Sequence, residues 1–379
     1  MSPVAEHDQQ AASRTGTGIL FIGHFPPPRH GHSLANERLL GEFRRRGYEV
    51  RVVDKGLQRG RLQIVTWFRV AIAVLYFSRR YKYPVYLTLG SSRSGLIRDG
   101  LILLLTPRRR LAAVHVHGGY LDELLPTFGK ASRAFVGYAF KRVDIGVSLC
   151  GALEPQLHSL SPTARTAVVP NGIDAALLSQ TRSSNDSRID TLRVLFLANS
   201  LRSKGLGVLI DAMTSLCLEH PNWHLSVYGL WMSEGDESAQ DIEGSMRSKA
   251  ATLGSMVTFG HAASESEVVA LLASSDVLVL PTSYPNEGQP LAIIEALVAG
   301  LHVVATDHRC IGSMFVDGVD GVLLPMPPTP NHVAAALVAV AGMAPMTELR
   351  RLEHQRLWSL ELMADRILDL LELHPGISC

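Results

Sequence analysis

The stretch Asp276–Thr306, DVLVLPTSYPNEGQPLAIIEALVAGLHVVAT, decides the fold. An apolar run ends near Leu280, a loop rich in Pro and Gly follows, Pro290 opens an apolar helical segment, and His302–Thr306 is a second short apolar run. Strand, loop, helix and strand in that order make a parallel crossover, with Pro290 at the first helical position, where its missing N–H does no harm. The alternation continues outward on both sides. Strands are expected at Arg193–Ala198, His224–Tyr228, Val257–Gly260, Asp276–Leu280 and His302–Thr306 in the second half of the chain. In the first half they are expected at Ile19–Phe25, Glu49–Asp54, Val85–Leu89, Leu111–Val116, Asp144–Leu149 and Ala167–Val169.

With 379 residues, 46% of them apolar, the chain can fill two cores of this kind. The pattern predicts an α/β protein of two doubly wound, Rossmann-like domains. Residues 1–16 are polar with no apolar run, which excludes an ordinary secretory signal and reads as a disordered tail. The first domain is placed at 17–178, a polar linker at 179–191 (SQTRSSNDSRIDT) and the second domain at 192–346. Residues 347–379 carry a helical pattern with no strand after it, free to pack anywhere, including back across the first domain.

The longest apolar run, Leu62–Phe77, is interrupted by Arg69 and falls short of the roughly 20 residues a membrane span needs. Four scattered cysteines, with no Cys-x-x-Cys and no His/Cys cluster at ligand spacing, suggest neither a disulfide framework nor a zinc site, and a reducing cytoplasm fits best. The net charge of +1 conceals a division: residues 1–170 hold 24 Lys and Arg against 11 Asp and Glu, and residues 171–379 hold 12 against 24.

In such folds ligands bind at the carboxyl ends of strands, so four strand-to-helix turns carry the weight. In the quoted stretch Glu287 lies in the loop and Glu295 in the helix. On one continuous helix the two would stand about 80° apart and about 12 Å along the axis, whereas a loop lets the chain fold both toward one side of a ligand. The amides of Gly288, Gln289, Leu291 and Ala292 would then open a helix N-terminus suited to anionic oxygens. The plainer alternative is a solvated loop acid and an ordinary helix charge. In RVLFLANSLRSKGLGVLIDAM, Asn199, Arg202 and Lys204 fall in the turn, either as a solvated basic turn or as cations for a pyrophosphate. In ILFIGHFPPPRHGHSLANERLL, a stiff proline run leads to Gly31 and a helix opened by Ser33 as N-cap, with no Gly-Lys-Ser/Thr of a phosphate loop. In LAAVHVHGGYLDELL, alternation points His115 and His117 the same way, and His117 precedes two glycines at a strand end, as a core histidine or a ligand contact.

Together these turns resemble those of the retaining glycosyltransferases of family 4, which have the two-domain GT-B fold with the domains facing a cleft. The matching pieces are Glu287 and Glu295 with Gly288-Gln289-Pro290-Leu291 between them, Lys204-Gly205, Val169-Pro170-Asn171-Gly172-Ile173-Asp174, Gly31 and His117. They occur in the expected order over roughly residues 18–345. The resemblance implies a nucleotide-sugar-binding second domain and an acceptor-side first domain. It implies that Glu295 binds the ribose, Glu287 contacts the sugar ring, Lys204 holds the pyrophosphate, and His117 contacts the sugar, so that Glu287 and His117 are the catalytic candidates. Three departures stand out: Asn199 where many members have Arg, with Arg202 available in the same turn; Asp307-His308-Arg309-Cys310 where a glycine pair is common; and a single Gly31 where two glycines are common.

The implied reaction is transfer with retention from a UDP- or GDP-linked sugar, hexosyl or N-acetylhexosaminyl, without a metal or other cofactor, to a lipid-linked or polysaccharide-precursor acceptor. A non-catalytic nucleotide-sugar-binding protein and a nucleotide-sugar epimerase on the same fold are the competing readings. The basic first domain, with Arg59, Arg61, Arg69, Arg79, Arg80, Lys82 and Arg108-Arg109-Arg110 around Trp67-Phe68 and Tyr76-Phe77, fits either an anionic membrane surface or an ordinary helix with solvated ends. No nucleic-acid-binding motif is present. The implied location is cytoplasmic, peripheral on the inner face of the membrane.

Overall fold

The computed structural model describes residues 18–27, 29–56, 61–174, 191–261 and 264–372. The expected tail at 1–16 and all but the last residue of the expected linker lie outside them. The chain divides into two units, one running to Gly172 and resuming at Ser359, the other spanning Ile173–Trp358.

In the first unit β1 (Gly18–Gly23), α1 (Gly31–Arg45), β2 (Glu49–Asp54), α2 (Arg61–Arg80), β3 (Val85–Thr88), α3 (Arg93–Leu105), β4 (Ala112–Val116), α4 (Lys130–Phe140), β5 (Ile145–Ser148), α5 (Glu154–Leu160) and β6 (Arg165–Val168) follow one another. The strands pair in parallel in the order β2-β1-β3-β4-β5-β6. Every residue of β1, β3, β4 and β5 is buried, because helices cover both faces; this is why the sequence shows continuous apolar runs there instead of alternation. Leu20, Ile22, Leu87 and Val114 pack on one face against Val70, Val74, Ile102 and Phe140. Ile19, Phe21 and Tyr86 pack on the other against Leu39 and Phe43.

The second unit contains β7 (Arg193–Leu197), α6 (Leu206–Leu216), β8 (His224–Tyr228), α7 (Ala239–Lys249), β9 (Val257–Gly260), α8 (Glu265–Ala273), β10 (Val277–Leu280), α9 (Leu291–Ala299), β11 (His302–Thr306), β12 (Gly321–Leu324), α10 (Pro330–Ala341) and α11 (Glu348–Leu357). Its parallel sheet has the order β12-β11-β10-β7-β8-β9, so the strand order reverses between β7 and β10. In the first sheet the reversal lies between β1 and β3. The carboxyl ends of the strands beside such reversals are where doubly wound sheets take ligands.

The expected strands all form, most with ends shifted by one or two residues, and β12, an edge strand beside β11, is an addition. The described part of the segment expected as one helical piece at 347–379, up to residue 372, is two helices. Of these, α11 belongs to the second unit, whereas α12 (Leu360–Glu372) returns to the first, where Met363, Ala364, Ile367, Leu368 and Leu371 complete the core around Phe21 and Phe43. The units therefore divide at Gly172 and Trp358, not at 178 and 346. The adjoining segment Val169–Asp174 shows why a glycine stands at 172: a Cβ there would lie 2.7 Å from the Leu360 Cα and the Ser359 carbonyl oxygen.

Among the described residues no helix is long and apolar enough to cross a membrane. Cys217 is a free thiol, while Cys150 and Cys310 are disulfide-bonded, which corrects the expectation of no disulfide for these two.

Candidate functional site

The reversal point of the second sheet is built by two loops that leave β7 and β10. After β7 the chain makes a one-turn 3-10 helix, Arg202–Lys204, and enters α6 through Gly205 at φ +83°. A Cβ on Gly205 would sit 2.0 Å from the Pro281 carbonyl oxygen, so the two loops touch only because this residue has none. They are laced by Ser283 N–H donating to the Ser203 carbonyl at 2.7 Å and by the Thr282 hydroxyl reaching the same oxygen at 3.4 Å.

This lacing sets Lys204 against Glu287. The ammonium donates to Oε1 at 2.9 Å and Oε2 at 2.7 Å, and lies 4.8 Å from the centre of the Tyr284 ring. The Thr282 hydroxyl donates to Oε2 at 2.8 Å. The side chains are only 13% and 6% exposed, so this is a desolvated, charge-assisted pair. Glu287 N–H donates to the Tyr284 carbonyl, closing the turn that turns the carboxylate inward.

Pro290 caps α9 from outside, with φ −59° and ψ 121°, so the helix starts at Leu291, one residue later than expected. No side chain caps this end, so the amides after Gly288 and Gln289 face forward from a helix whose Leu291 and Glu295 are buried. Glu295 sits in the middle of α9, on a helix buried almost all round.

Arg202 does not join Lys204. Its guanidinium forms a two-pronged pair with Glu237, which holds its pKa above the usual value, and 40% of its side chain is exposed. Its charge is balanced there, leaving Lys204 as the cation of this turn that meets the Glu287 loop. Asn199 serves the turn through its backbone, its carbonyl accepting from Leu201 N–H at 3.0 Å. Glu234, which the sequence does not single out, secures the turn by accepting from Ser203 N–H at 2.9 Å and from the Ser203 hydroxyl. At the second departure, Asp307–Cys310, Arg309 has φ +56°, the left-handed region that favours glycine, and His308 contacts the Tyr284 carbonyl at 3.0 Å.

The reversal point of the first sheet carries a second group of polar residues. His30, not Ser33, is the N-cap of α1: its side chain accepts from Ser33 N–H while the Ser33 hydroxyl accepts from His30 N–H. Gly31 is therefore the first helical residue, and a Cβ there would meet nothing within 4 Å. One residue on, the His32 ring stacks on His117 with centroids 4.5 Å apart and planes 14° apart. His115 and His117 do point the same way, with ring centroids 4.2 Å apart.

Behind them Lys55 is wholly buried and donates to both Asp99 oxygens at 3.0 Å and to the Thr88 carbonyl. Burial lowers its pKa to about 8. Burial alone would raise the Asp99 carboxyl, but Lys55 and Arg98 hold it below its usual value. Arg98 also reaches His24 Nε2 at 3.2 Å; since a guanidinium can only donate, His24 is neutral with its proton on Nδ1. Burial, then the Lys55 charge, lowers His24 to about 2 and His117 to about 3. The sequence offers one late signal for this cluster: Asp99 and Arg98 interrupt an otherwise apolar helix.

Residues 179–341, which contain Lys204, Glu287 and Glu295, match the family model described as glycosyl transferases group 1. The phosphatidyl-myo-inositol mannosyltransferase of Mycolicibacterium smegmatis is 27% identical over 173 residues, 45% of this chain and 42% of the relative, so the match spans less than half the length of that curated protein. Among solved structures, sucrose-phosphate synthase from Thermosynechococcus elongatus superposes with a TM-score of 0.72 at 18% identity, over 93% of this chain and 98% of the other. Anabaena HepE in complex with UDP and glucose gives 0.68 at 17% identity, over 94% and 100%. These likenesses fix the fold class, α/β with two Rossmann-like units.

Proposed function

We propose that the chain is a retaining glycosyltransferase of family 4, moving a hexosyl or N-acetylhexosaminyl group from a UDP- or GDP-linked donor to a lipid-linked or polysaccharide-precursor acceptor in bacterial cell-surface glycan synthesis. The observation that carries this reading is the Lys204–Glu287 pair at the reversal of the second sheet, inside the residues that match the group 1 glycosyltransferases.

When donor binds, Lys204 exchanges its carboxylate for the pyrophosphate, and the uncapped amides that open α9 take further phosphate oxygens. Glu287, released, turns to the sugar ring. Glu295 takes the ribose, and His117 is assigned to the transferred sugar. The bond from the anomeric carbon to the leaving phosphate breaks as the acceptor oxygen attaches on the same face, and the departing phosphate oxygen accepts the acceptor's proton. Lys204 and the amides stabilise the charge that builds on the leaving group, the electrostatic contribution that is usually largest. With a lysine in that place, activity is expected to need no metal.

The acceptor side rests on α2. Val65, Phe68, Ile72 and Tyr76 are 55–67% exposed along one face, opposite the buried Val70 and Val74, with Arg69, Arg79 and Arg80 exposed among them. An apolar stripe edged with arginine suits an anionic lipid surface on the cytoplasmic side of a membrane. Arg59 lies outside the described residues.

Thermal unfolding with UDP, GDP and their sugar conjugates tests the reading first. A cognate donor at 100 times its Kd should stabilise by about 2.7 kcal/mol, and indifference to every nucleotide would overturn it. Transfer to an acceptor, assayed next, separates an enzyme from a binding protein.

A further inference from the structure

The reversal point of the first sheet contains more polar chemistry than its one expected residue, His117, accounts for. His32 is fixed in position from both sides. The reciprocal hydrogen bonds of His30 and Ser33 lock the turn that carries it, and its ring lies flat on His117. Yet His32 Nε2 and both ring nitrogens of His117 are shielded from solvent and have no hydrogen-bond partner among the described residues. His24 Nδ1, which carries that ring's proton, is in the same condition, and the His24 ring stands edge-on to His32 at 6.0 Å. Buried polar atoms rarely stay unpaired in a finished complex, and here they cluster at the strand ends where doubly wound sheets take ligands.

The surroundings say what class of group would pair with them. Lys55 and Arg98, against the single carboxylate of Asp99, leave a net positive charge behind the rings, which opposes imidazolium formation. A neutral imidazole offers one N–H and one lone pair. A hydroxyl offers the same two functions in return, whereas a phosphate or carboxylate offers only acceptors.

We propose that His32 and His117 form a two-imidazole wall that hydrogen-bonds the hydroxyl groups of a sugar, with His32 a specificity-determining residue beside the expected His117. The proposal rests on the glycosyltransferase reading. The hydroxyls belong either to the transferred sugar or to a sugar of the acceptor. The turn has a single glycine, Gly31, where two are common in the resembling family, and the imidazole that follows it gives this chain a contact of its own.

His32→Phe keeps a flat ring for the stack and removes the polar atoms, and its melting temperature should match the wild type. Its KM for nucleotide sugar, measured as donor hydrolysis without acceptor, is expected to rise about tenfold with kcat within about twofold, as for one lost neutral hydrogen bond. A rise in acceptor KM alone, in the transfer assay, assigns the hydroxyls to the acceptor and equally supports the wall. The proposal is overturned if neither KM moves. If the wild type neither transfers nor hydrolyses any nucleotide sugar, the glycosyltransferase reading fails separately. In that event ¹⁵N imidazole signals of His32 and His117, titrated with methyl glycosides, still decide: shifts lost in His32→Phe support the wall, and unmoved signals overturn it.

Discussion

Glu287 presents both carboxylate oxygens to the one ammonium of Lys204, at 2.9 and 2.7 Å, across 83 residues of sequence. The two residues that the sequence suggests for separate tasks thus hold each other before any donor arrives. Burial and the mutual pairing hold both side chains in place, so on the proposed function donor binding would be an exchange of partners.

Removing one member of this pair should therefore be worse than neutralising it. Lys204→Ala leaves a buried carboxylate with only the Thr282 hydroxyl, and should destabilise the second unit toward the low end of the roughly 3–5 kcal/mol typical of broken buried pairs. Turnover should fall about 10²–10³-fold. Glu287→Gln should depress kcat while nucleotide affinity holds, and Glu295→Gln should do the reverse. Wild-type activity in EDTA completes the test. An EDTA-dead enzyme or near-normal transfer by Lys204→Ala would move the leaving-group charge to a metal or to Arg202.

Two residues share the left-handed backbone region with opposite consequences. Gly205→Ala would drive a Cβ into the Pro281 carbonyl, so a loss of more than about 1–2 kcal/mol and of nucleotide binding is expected. Arg309→Gly removes a side chain from φ +56° and should raise the melting temperature, by up to about 1 kcal/mol in stability. Differential scanning calorimetry on both variants checks the signs.

Acid should unfold the chain through its neutral histidines. His24 and His117 titrate near 2 and 3 when folded and near 6.5 when unfolded, burial being the main cause in both. Between pH 6.5 and 3 the unfolded chain binds protons that the folded chain refuses, so stability present above 6.5 drains away as the pH falls. Each contributes about 1.4 kcal/mol per pH unit in that window. Asp320, held at about 2 by Arg350 against the opposing effect of burial, adds its loss only below its ordinary carboxylate range. In melting curves between pH 7 and 5, His117→Asn should show a shallower decline than wild type; parallel curves would refute the assignment.

The exposed face of α2 makes a separate claim. Phe68→Ser with Ile72→Ser should abolish binding to vesicles of anionic lipid while leaving nucleotide affinity untouched, since both side chains point away from the core. Binding should also weaken with salt, each arginine near the surface contributing about 1 kcal/mol. Vesicle binding that ignores both lipid charge and salt would favour a soluble acceptor.

Buried parallel strands announce themselves as apolar runs, which is why the fully buried strands of both sheets were legible; of the twelve described strands only β12, at a sheet edge, was not anticipated. Lys204 and Glu287 were legible as loop residues at strand ends. Their pairing was not, because it depends on a contact between the Gly205 backbone and Pro281 that leaves no periodic trace. The same holds for Lys55 and Asp99: a lysine after one strand and an aspartate inside an apolar helix become partners only once β2, β3 and α3 are assembled. The helical run at the end of the chain was visible, but its break at Trp358 and the return of α12 to the first unit were matters of tertiary packing.

That return has a consequence for how the protein is made. The layer of the first core formed by Met363, Ile367 and Leu371 is encoded after the whole of the second unit, so Phe21 and Phe43 leave the ribosome without the helix that will cover them. At about 5–20 residues per second, synthesis of the intervening unit lasts roughly ten to forty seconds. For that interval the first unit is an unfinished nascent domain with an apolar face open to chaperones, and it closes only once α12 has been made.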